Sequence, residues 1–403
     1  MIRISGRIVR NGAITSGHVE IDGPVIRTVV EDPPATGDTA PETSGPGTSG
    51  WGSARPGTSR SGTGGRGFSG PGFSGPDFIV PGFVDLHCHG GGGHTFTTGD
   101  ATAARAAAAF HRRHGTTTML ASLVSSPYGL TRTAVAAYRP LVAEDLLAGV
   151  HLEGPYLAPA RRGAQNPGVL RDPSVRELRD LLESGGDAVR MVTLAPELPG
   201  ALDAIGFLAA HGVLAAIGHT DSTYEQTLAG VAAGASVGTH LCNGMPPPHH
   251  RGPGPVVGLL ESGAAVELIA DGHHLHPAML AFLARAAGPD RAVLVTDAID
   301  AAGMPDGRYD LGGRDVVVTD RVARVADGGA LAGSTLTMDE AVRNAVHAGI
   351  ALPDAVAMAS TTPARVLGLA DRVGAVAAGL RADLVVLGAD LRVRRVMRAG
   401  VWL

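Results

Sequence analysis

The sequence of 403 residues contains no lysine, so each of its 33 basic residues is an arginine. Without an ε-amine, the chain cannot form a Schiff base with a substrate, and it cannot supply the lysine that contacts phosphates in a P-loop. A carboxylated lysine that bridges two metal ions is excluded for the same reason. Any catalytic centre in this protein must therefore use other side chains.

Cysteine is almost as scarce, since only Cys88 and Cys242 occur and they form no paired framework. This usage is typical of a reducing, cytoplasmic setting. No apolar run reaches the roughly 18 residues of a membrane span, and the first residues lack the charged and apolar regions of a signal peptide. A net charge of −5 gives no reason to expect nucleic-acid or membrane partners.

Both ends of the chain are predicted to form short strands. Residues 1–30 carry apolar side chains on either side of Asn11 and Gly12, a turn signal that predicts a β-hairpin. Beyond residue 371, short apolar runs again have the pattern of strands. Because these strands flank the rest of the chain, we expect segments 1–32 and 372–403 to pair into one small β domain.

The composition changes twice between these ends. Residues 33–77 are rich in Gly, Ser, Pro and Thr and bury too little apolar surface to offset the entropy lost on ordering. We interpret this segment as a flexible insertion. Residues 78–371 alternate apolar runs with Ala- and Leu-rich helical stretches, and about eight such units predict a parallel TIM-type barrel. The predicted strands include 116–123, 148–152, 189–194, 213–217, 237–239, 265–269 and 292–295, with predicted helices such as 101–114 and 224–233 between them.

The first candidate metal ligands are His87 and His89, which follow an apolar run and precede four consecutive glycines. Residues i and i+2 of a strand point to the same face, so both imidazoles share one face. Such a pair suits a divalent transition metal, although the same spacing also occurs by chance or in a structural role. The position at the end of an apolar run favours a metal site.

Three further side chains close strand-like runs, namely Glu153, His219 and His240. Glu153 taken alone fits a solvated loop acid better than a ligand. The two histidines are 21 residues apart with one helix between them, so we expect them on adjacent barrel strands. Because the carboxyl ends of barrel strands meet at one mouth, the three form a His₂Glu set with an open position, the arrangement of catalytic metal sites.

Asp297 follows another apolar run and is predicted to stand at the same mouth. A carboxylate beside a metal-activated water can take its proton and return it to a leaving amine. The structural alternative is an aspartate that caps the next helix. The neighbouring ligand set favours the role of general base and acid.

Seven motifs occur in order along the chain, PGFVDLHCH (81–89), HLEGP (151–155), GHT (218–220), HLCNGM (240–245), ADGHH (270–274), VTD (295–297) and LAGS (331–334). In this order and spacing they resemble the N-acetylglucosamine-6-phosphate deacetylase family of the amidohydrolase superfamily. The resemblance covers nearly the whole chain except residues 33–77.

The resemblance implies an α/β fold, a TIM-like (β/α)8 barrel with a small β-sandwich domain formed by the N- and C-terminal segments. It implies a catalytic divalent metal on Glu153, His219 and His240, with Asp297 as general base and acid. Zn²⁺ is the expected ion, and Fe, Co and Mn also fit this ligand set. The implied substrate contacts are Ala164, Gln165, Asn243, Gly244, His274, Leu331, Ala332 and Gly333.

Arg251 matches a position at which members of this family grip the sugar phosphate of the neighbouring subunit, so the resemblance also implies a homodimer. Many members carry histidine where this chain has Gln165, which can donate a hydrogen bond but carries no charge. Carbonyl activation would then rest more on the metal and His274. Some members lack the histidines of the first motif and use one metal. This chain keeps His87 and His89, so one ion, or two bridged by Glu153, are both open.

The predicted function is hydrolysis of N-acetyl-D-glucosamine 6-phosphate to D-glucosamine 6-phosphate and acetate, in amino-sugar catabolism and cell-wall recycling. One alternative is a deacylase of N-acetylgalactosamine 6-phosphate or an N-acyl amino acid. A second is a cyclic-amide hydrolase, which the absence of lysine disfavours. A third is a non-catalytic scaffold protein, which the full apparent ligand set disfavours.

Overall fold

The structure is a computed structural model that describes residues 1–33 and 77–403. The predicted insertion at 33–77 lies outside the described residues except for its two end positions. Among the helices of the described ranges, none has the length and apolar character needed to cross a membrane.

The elements of the described ranges are short and alternate along most of the chain. The strands are β1 (Ile2–Arg10), β2 (Ala13–Asp22), β3 (Val25–Glu31), β4 (Phe78–Pro81), β5 (Phe83–Asp85), β6 (Gly90–Gly91), β7 (His94–Thr95), β8 (Thr116–Val124), β9 (Gly149–Glu153), β10 (Val189–Leu194), β11 (Leu214–Ile217), β12 (Ala235–Gly238), β13 (Ala265–Ile269), β14 (Ala292–Val295), β15 (Gly307–Asp310), β16 (Asp315–Thr319), β17 (Val322–Val325), β18 (Leu384–Leu387), β19 (Val393–Arg398) and β20 (Val401–Trp402). The α-helices are α1 (Ala101–Arg113), α2 (Tyr128–Ala143), α3 (Val175–Gly185), α4 (Ala201–Ala210), α5 (Tyr224–Ala232), α6 (Gly254–Ser262), α7 (Pro277–Ala287), α8 (Met338–His347), α9 (Leu352–Val356) and α10 (Thr362–Val366).

Eight parallel strands form the central sheet in the order β5-β8-β9-β10-β11-β12-β13-β14. Its two edges meet just beyond the strand ends, where Asp297 N donates to His87 O at 2.8 Å and His89 N donates to Ala298 O at 2.8 Å. The sheet therefore closes into a barrel at the level of the first histidine motif. β8 is buried along its whole length, because one face meets the barrel interior and the other meets helices.

Helix starts fix the loops that leave the barrel mouth. The Asp100 side chain accepts hydrogen bonds from Thr102 N at 2.7 Å and Ala103 N at 3.2 Å at the start of α1. At the start of α5, Thr223 and Gln226 form a reciprocal capping box. Such caps satisfy backbone N–H groups that have no partner inside the helix. The loop between β11 and α5 is therefore short and anchored at both ends.

A seven-stranded sheet in the order β20-β19-β18-β4-β1-β2-β3 is built from both ends of the chain. β1 and β2 form the predicted hairpin, with Asn11 at φ 51° and Gly12 at φ 73° in its two-residue turn. Ile8, Val19 and Met397 belong to a separate core cluster of this sheet. The predicted fold class, a TIM-like barrel with a small β domain from both termini, is confirmed.

Three differences between the observed and the predicted elements are larger than one residue. The predicted strands 265–269 and 292–295 coincide with β13 and β14, whereas 237–239 lies two residues after the start of β12. β4, at the start of the segment predicted as barrel, pairs with β1 and β18 of the terminal sheet. The antiparallel sheet β15-β16-β17, which follows β14, was not predicted, since its strands mix polar and apolar residues and are partly exposed, unlike the buried strands of the barrel.

Candidate metal centre and active site

The barrel mouth gathers the predicted ligands because each stands at the carboxyl end of a strand. Glu153 is the last residue of β9, while His219, His240 and Asp297 each lie two residues beyond β11, β12 and β14. All four are buried, as are the two histidines that follow β5. The strand ends thus bring together residues that are far apart in the sequence.

Three of these side chains sit on backbone of the left-handed region. The φ angles are 47° at His219, 26° at His240 and 47° at Asp297. A residue with a side chain adopts this region at a cost of about 1–3 kcal/mol, and such residues cluster at functional sites. The neighbouring backbone holds the geometry, for example through Leu241 N, which donates to Glu267 O at 2.8 Å. The left-handed backbone conformation directs each of these side chains into the barrel mouth.

The first ligand group consists of Glu153, His219 and His240. Glu153 Oε1 lies 2.9 Å from His219 Nε2 and 3.0 Å from His240 Nε2, and the two Nε2 atoms are 3.1 Å apart. Two imidazole nitrogens and one carboxylate oxygen that converge on one point match the three protein ligands of a catalytic zinc site. The residues present therefore fit a divalent transition metal.

The second ligand group consists of His87, His89 and Asp297. The two Nε2 atoms are 3.0 Å apart, and Asp297 Oδ1 lies 3.4 Å from His87 Nε2 and 3.2 Å from His89 Nε2. Glu153 stands between the groups, because its other oxygen, Oε2, lies 3.3 Å from His89 Nε2. The arrangement has the donors for two adjacent ions with Glu153 as the shared ligand.

Burial opposes every charge in this cluster, yet mutual attraction outweighs it for most members. Burial would raise the pKa of Asp297, but the charge of His87 and a hydrogen bond from His89 lower that pKa to about 2. Burial would lower the pKa of His89, but hydrogen bonds to Asp297 and Glu153 raise that pKa to about 9. The same balance raises the pKa of His87 well above its ordinary value and lowers that of Glu153 well below. Protons on the imidazole rings thus supply positive charge to the cluster, and a bound metal ion would replace these protons.

Each ligand histidine except one is oriented through its second ring nitrogen. Nδ1 of His89 lies 3.2 Å from Ser122 O, and Nδ1 of His219 lies 2.8 Å from Arg161 O. A hydrogen bond from Nδ1–H to such an acceptor leaves Nε2 as the metal-binding lone pair. His240 Nδ1 is the exception, being buried without a hydrogen-bond partner among the described residues.

Glu267 orients His87 and was not predicted as a site residue. It is fully buried in β13, where its Oε2 lies 3.1 Å from His87 Nδ1 and accepts a hydrogen bond from His240 N at 3.2 Å. Its Oε1 has no partner among the described residues. The available signal was a single carboxylate inside an otherwise apolar strand, which burial makes costly unless it is paired.

Asp85 is a second buried carboxylate whose role was not apparent from the sequence motif that contains it. Its Oδ1 accepts from His87 N at 3.2 Å and its Oδ2 from Thr296 Oγ1 at 2.6 Å. Burial raises the pKa of Asp85 to about 7 despite these hydrogen bonds. The side chain ties the end of β5 to the end of β14 and so supports both His87 and Asp297.

A cavity of about 260 Å³ opens in front of both ligand groups. Most of the predicted substrate contacts line it, namely Ala164, Gln165, Asn243, Gly244, His274, Leu331 and Gly333. Ala332 is fully buried, and its N–H donates to Ala323 O at 3.1 Å, so it does not line the cavity. Arg251 is exposed and does not line the cavity either. Its Nη1 lies 2.7 Å from His250 Nε2.

Gln165 contacts Glu153 directly, a role that the sequence did not indicate. Its Nε2 donates to Glu153 Oε2 at 2.5 Å, and its Oε1 accepts from Ser125 N at 2.8 Å. Both ends of the amide are therefore engaged by the protein. The side chain positions the shared ligand, while one N–H of the Nε2 group stays available to the cavity.

His274 is held by Asp271 at the rim of the cavity. Asp271 Oδ2 lies 2.7 Å from His274 Nδ1, and Asp271 Oδ1 accepts from His274 N at 2.8 Å. Burial would lower the pKa of His274, but the hydrogen bond and charge of Asp271 outweigh it and raise that pKa. Because Nδ1 is engaged, Nε2 is the nitrogen that can donate to a ligand in the cavity.

Gly244 allows the closest approach in the site. Its φ is +59°, and a Cβ at this position would lie 2.8 Å from His219 Nδ1. That distance is too short for a carbon atom, and His219 cannot shift without losing its bond to Arg161 O. A side chain at residue 244 is therefore incompatible with the first ligand group.

Comparisons with known proteins give one consistent family. An amidohydrolase family model matches residues 78–403. An N-acetylgalactosamine-6-phosphate deacetylase from Escherichia coli O157:H7 is 41% identical over 326 residues, which cover 79% of this chain and 85% of that protein. Human N-acetylglucosamine-6-phosphate deacetylase is 38% identical over 338 residues, which cover 79% and 82%.

Solved structures agree with the sequence relatives. A mutant N-acetyl-D-glucosamine-6-phosphate deacetylase from Mycobacterium smegmatis, in complex with N-acetyl-D-glucosamine-6-phosphate, has 40% identity and a TM-score of 0.87, with 100% of this chain and 98% of that chain covered. The N-acetylglucosamine-6-phosphate deacetylase of Thermotoga maritima has 30% identity and a TM-score of 0.83, with 100% and 99% covered. The alignments with these two structures therefore include the whole barrel, its mouth and the terminal domain of this chain.

Proposed function

We propose that this chain, which belongs to the N-acetylglucosamine-6-phosphate deacetylase family of amidohydrolases, hydrolyses N-acetyl-D-glucosamine 6-phosphate to D-glucosamine 6-phosphate and acetate. The observation that carries the proposal is the pair of ligand groups that share Glu153, with Asp297 beside them at the cavity. Non-catalytic scaffolds have no need for such a set. The reaction belongs to amino-sugar catabolism and cell-wall recycling.

The enzyme is metal-dependent, as its family is, and Zn²⁺ is the ion we favour over Fe, Co or Mn. Glu153, His219 and His240 would hold one ion, and His87, His89 and Asp297 would hold a second. A bound divalent ion polarises the acetyl carbonyl and lowers the pKa of a water molecule. The remaining steps are assigned to side chains of the protein.

Asp297 acts as general base and then as general acid. Its Oδ1 faces His87 and His89 at 3.4 and 3.2 Å, so the carboxylate is fixed at the edge of the cavity. It takes a proton from the attacking water and returns it to the amine nitrogen as the C–N bond breaks. The low pKa of this group keeps it ionised for the first step.

His274 donates a hydrogen bond to the oxygen of the acetyl group as negative charge develops there. Asp271 favours the protonated imidazole and fixes its direction, so the donor needs no reorganisation during the reaction. Gln165 supports the same step indirectly, because it holds Glu153 in place.

We assign the phosphate of the substrate to Arg251 of a neighbouring subunit, in a homodimer. Among the described residues that line the cavity there is no arginine, so the cavity of one subunit lacks a fixed cation for a phosphate dianion. Arg251 is exposed and outside the lining, which suits a residue that reaches another subunit. A bidentate guanidinium matches the geometry of phosphate.

The reaction is placed in the cytoplasm, where the unpaired thiols Cys88 and Cys242 would stay reduced. A second candidate substrate is N-acetylgalactosamine 6-phosphate, because a relative at 41% identity carries that activity. The two sugars differ only in the configuration at C4. Discrimination therefore depends on how the cavity contacts that hydroxyl.

The test is acetate release by protein of measured metal content. N-acetylglucosamine 6-phosphate is compared with its C4 epimer and with unphosphorylated N-acetylglucosamine. Rapid release from N-acetylglucosamine 6-phosphate, and slow release from the unphosphorylated sugar, is the expected result. Preference for the epimer would transfer the assignment to N-acetylgalactosamine 6-phosphate, and no release from any of them by metal-replete protein would remove it.

A further inference from the structure

A second cavity, of about 110 Å³, lies at the opposite end of the barrel from the metal ligands. We call it the floor cavity. Thr117 and Thr118, near the start of β8, line it, as does Ala148, which precedes β9. Arg398, the last residue of β19, lines its other side. The floor cavity therefore lies between the barrel and the terminal sheet, away from the catalytic groups.

The described lining of the floor cavity contains four arginines and a single acidic residue. That residue, Asp145, accepts hydrogen bonds from Arg372 at 3.3 Å, from Arg381 at 2.5 Å and from Arg398 at 2.9 Å. The fourth arginine is Arg190. One carboxylate is thus shared by three guanidinium groups, which leaves the lining with an excess of three positive charges.

Two charges just behind the lining do not remove this excess. Asp383 accepts from Arg381 at 2.5 Å, while Arg112 donates through Nη2 to Leu146 O at 2.9 Å. Together five guanidiniums face two carboxylates. Burial, with a smaller contribution from the charge of Arg398, lowers the pKa of Arg112 to about 10. An ion-pair contact between two domains would need no such surplus.

Several donors of these arginines also have no acceptor among the described residues. Arg190 donates through Nη2 to Leu367 O at 2.6 Å, and Arg372 donates through Nη2 to Asp145. Arg398 uses Nε and Nη2, toward Thr117 O and Asp145. Within residues 1–33 and 77–403, no acceptor contacts Nε or Nη1 of Arg190 and Arg372, or Nη1 of Arg398. These donors come from three separate segments that meet at one cavity.

We propose that the floor cavity binds a phosphate-class oxyanion, held by Arg190, Arg372 and Arg398. A tetrahedral dianion offers acceptors in several directions, and the guanidinium fork binds it in a bidentate manner. Its charge offsets two of the three surplus positive charges. Because the arginines belong to the barrel and to the terminal sheet, the bound anion joins the two.

The size of the floor cavity fits a single phosphate group. A volume of about 110 Å³ holds a few water molecules at about 30 Å³ each. The Arg372 side chain is 54% exposed, so one side of the site is open. The remainder of a phosphate ester can extend through that side into solvent, which makes both free phosphate and a sugar phosphate acceptable sources.

The test measures binding by the metal-loaded, full-length protein, so it does not depend on the proposed activity. The unfolding temperature is followed against inorganic phosphate, and separately against D-glucosamine 6-phosphate, with chloride at matched ionic strength. A saturable rise with phosphate but not chloride is expected. Arg190→Gln with Arg372→Gln should raise the dissociation constant at least 100-fold, since each charge-assisted contact contributes about tenfold. Arg285→Gln, a change at an exposed arginine of α7, should keep the effect of both ligands, and Arg251→Gln should keep the effect of inorganic phosphate.

Asp145→Asn provides a test of opposite sign. Removal of the carboxylate that competes for three arginines should lower the unfolding temperature without phosphate and tighten phosphate binding about tenfold. If the double arginine variant does not fold, Arg372→Gln alone should weaken binding about tenfold. The proposal is overturned if chloride gives the same stabilisation, if the folded arginine variants keep the wild-type dissociation constant, or if Asp145→Asn weakens phosphate binding.

Discussion

Glu267→Gln tests how the second ligand group is held. The replacement keeps the size of the side chain and removes the charge that faces His87 Nδ1 at 3.1 Å. A hydrogen bond to a charged group contributes about 1.5–3 kcal/mol, and about 1.4 kcal/mol corresponds to a tenfold change in affinity. The variant should therefore lose about 10- to 100-fold in affinity for the ion at His87 and His89, in line with other partners of metal-binding histidines.

The assay is metal titration of the apo-protein, with bound metal measured by mass spectrometry after gel filtration. At limiting free metal the wild type should hold two ions and the variant one, because the first group keeps all three of its ligands. Glu267→Asp, which retains the charge, should restore part of the occupancy of the second metal site. Glu177→Gln removes a carboxylate that contacts Tyr156 and Arg171 outside the site and should leave both ions bound. Two ions held by Glu267→Gln with wild-type affinity would refute the reasoning.

Four further predictions concern the mouth of the barrel. Asp297→Asn should lower kcat by about 10²–10⁴ with the first ion still bound, as measured by kinetics and metal analysis; retained turnover would remove the residue from proton transfer. His274→Gln should lower kcat by about 10²–10³ with little change in KM, and a change confined to KM would contradict the oxyanion role. Metal affinity should rise with pH up to about 9, because the pKa of His89 lies near that value and its proton must leave before a metal ion binds. Metal titrations between pH 6 and 9 check this, and an affinity that does not change with pH would contradict it. Gly244→Ala should weaken the first metal site through the 2.8 Å clash with His219, and metal analysis showing full occupancy would mean that the loop can shift.

The parts of the site that could be predicted are those that follow from strand periodicity. His219, His240 and Asp297 each close an apolar run, and parallel strands bring such ends to one mouth whatever the exact register. The left-handed backbone at these residues left no trace in the sequence, because none of them is a glycine. Their conformation is imposed by the surrounding tertiary structure, which local propensity does not report.

The supporting contacts could not be predicted because they depend on side chains that meet across the barrel. Glu267 and His87 are separated by 180 residues, and only barrel closure places them within hydrogen-bond distance. Gln165 was expected at the substrate, and it does line the cavity, but its hydrogen bond to Glu153 depends on how its loop folds and was not predicted. The β15-β16-β17 sheet was not predicted for a different reason. Its strands mix polar and apolar residues and are partly exposed, so they lack the continuous apolar runs of the barrel strands.

Charge balance explains why these supporting carboxylates accompany the second histidine pair. Glu153, Asp297 and Glu267 place three negative charges in a site from which water is largely excluded, and an uncompensated buried charge is costly. One divalent ion leaves one of these charges unmatched. Without a metal ion, attraction to the carboxylates outweighs burial and raises the pKa values of His87 and His89, which favours imidazolium protons in the place of a second ion. A second divalent ion replaces two such protons without any change in net charge. The second group is therefore electrostatically suited to a divalent ion, and Glu267 is the residue whose charge makes that exchange favourable.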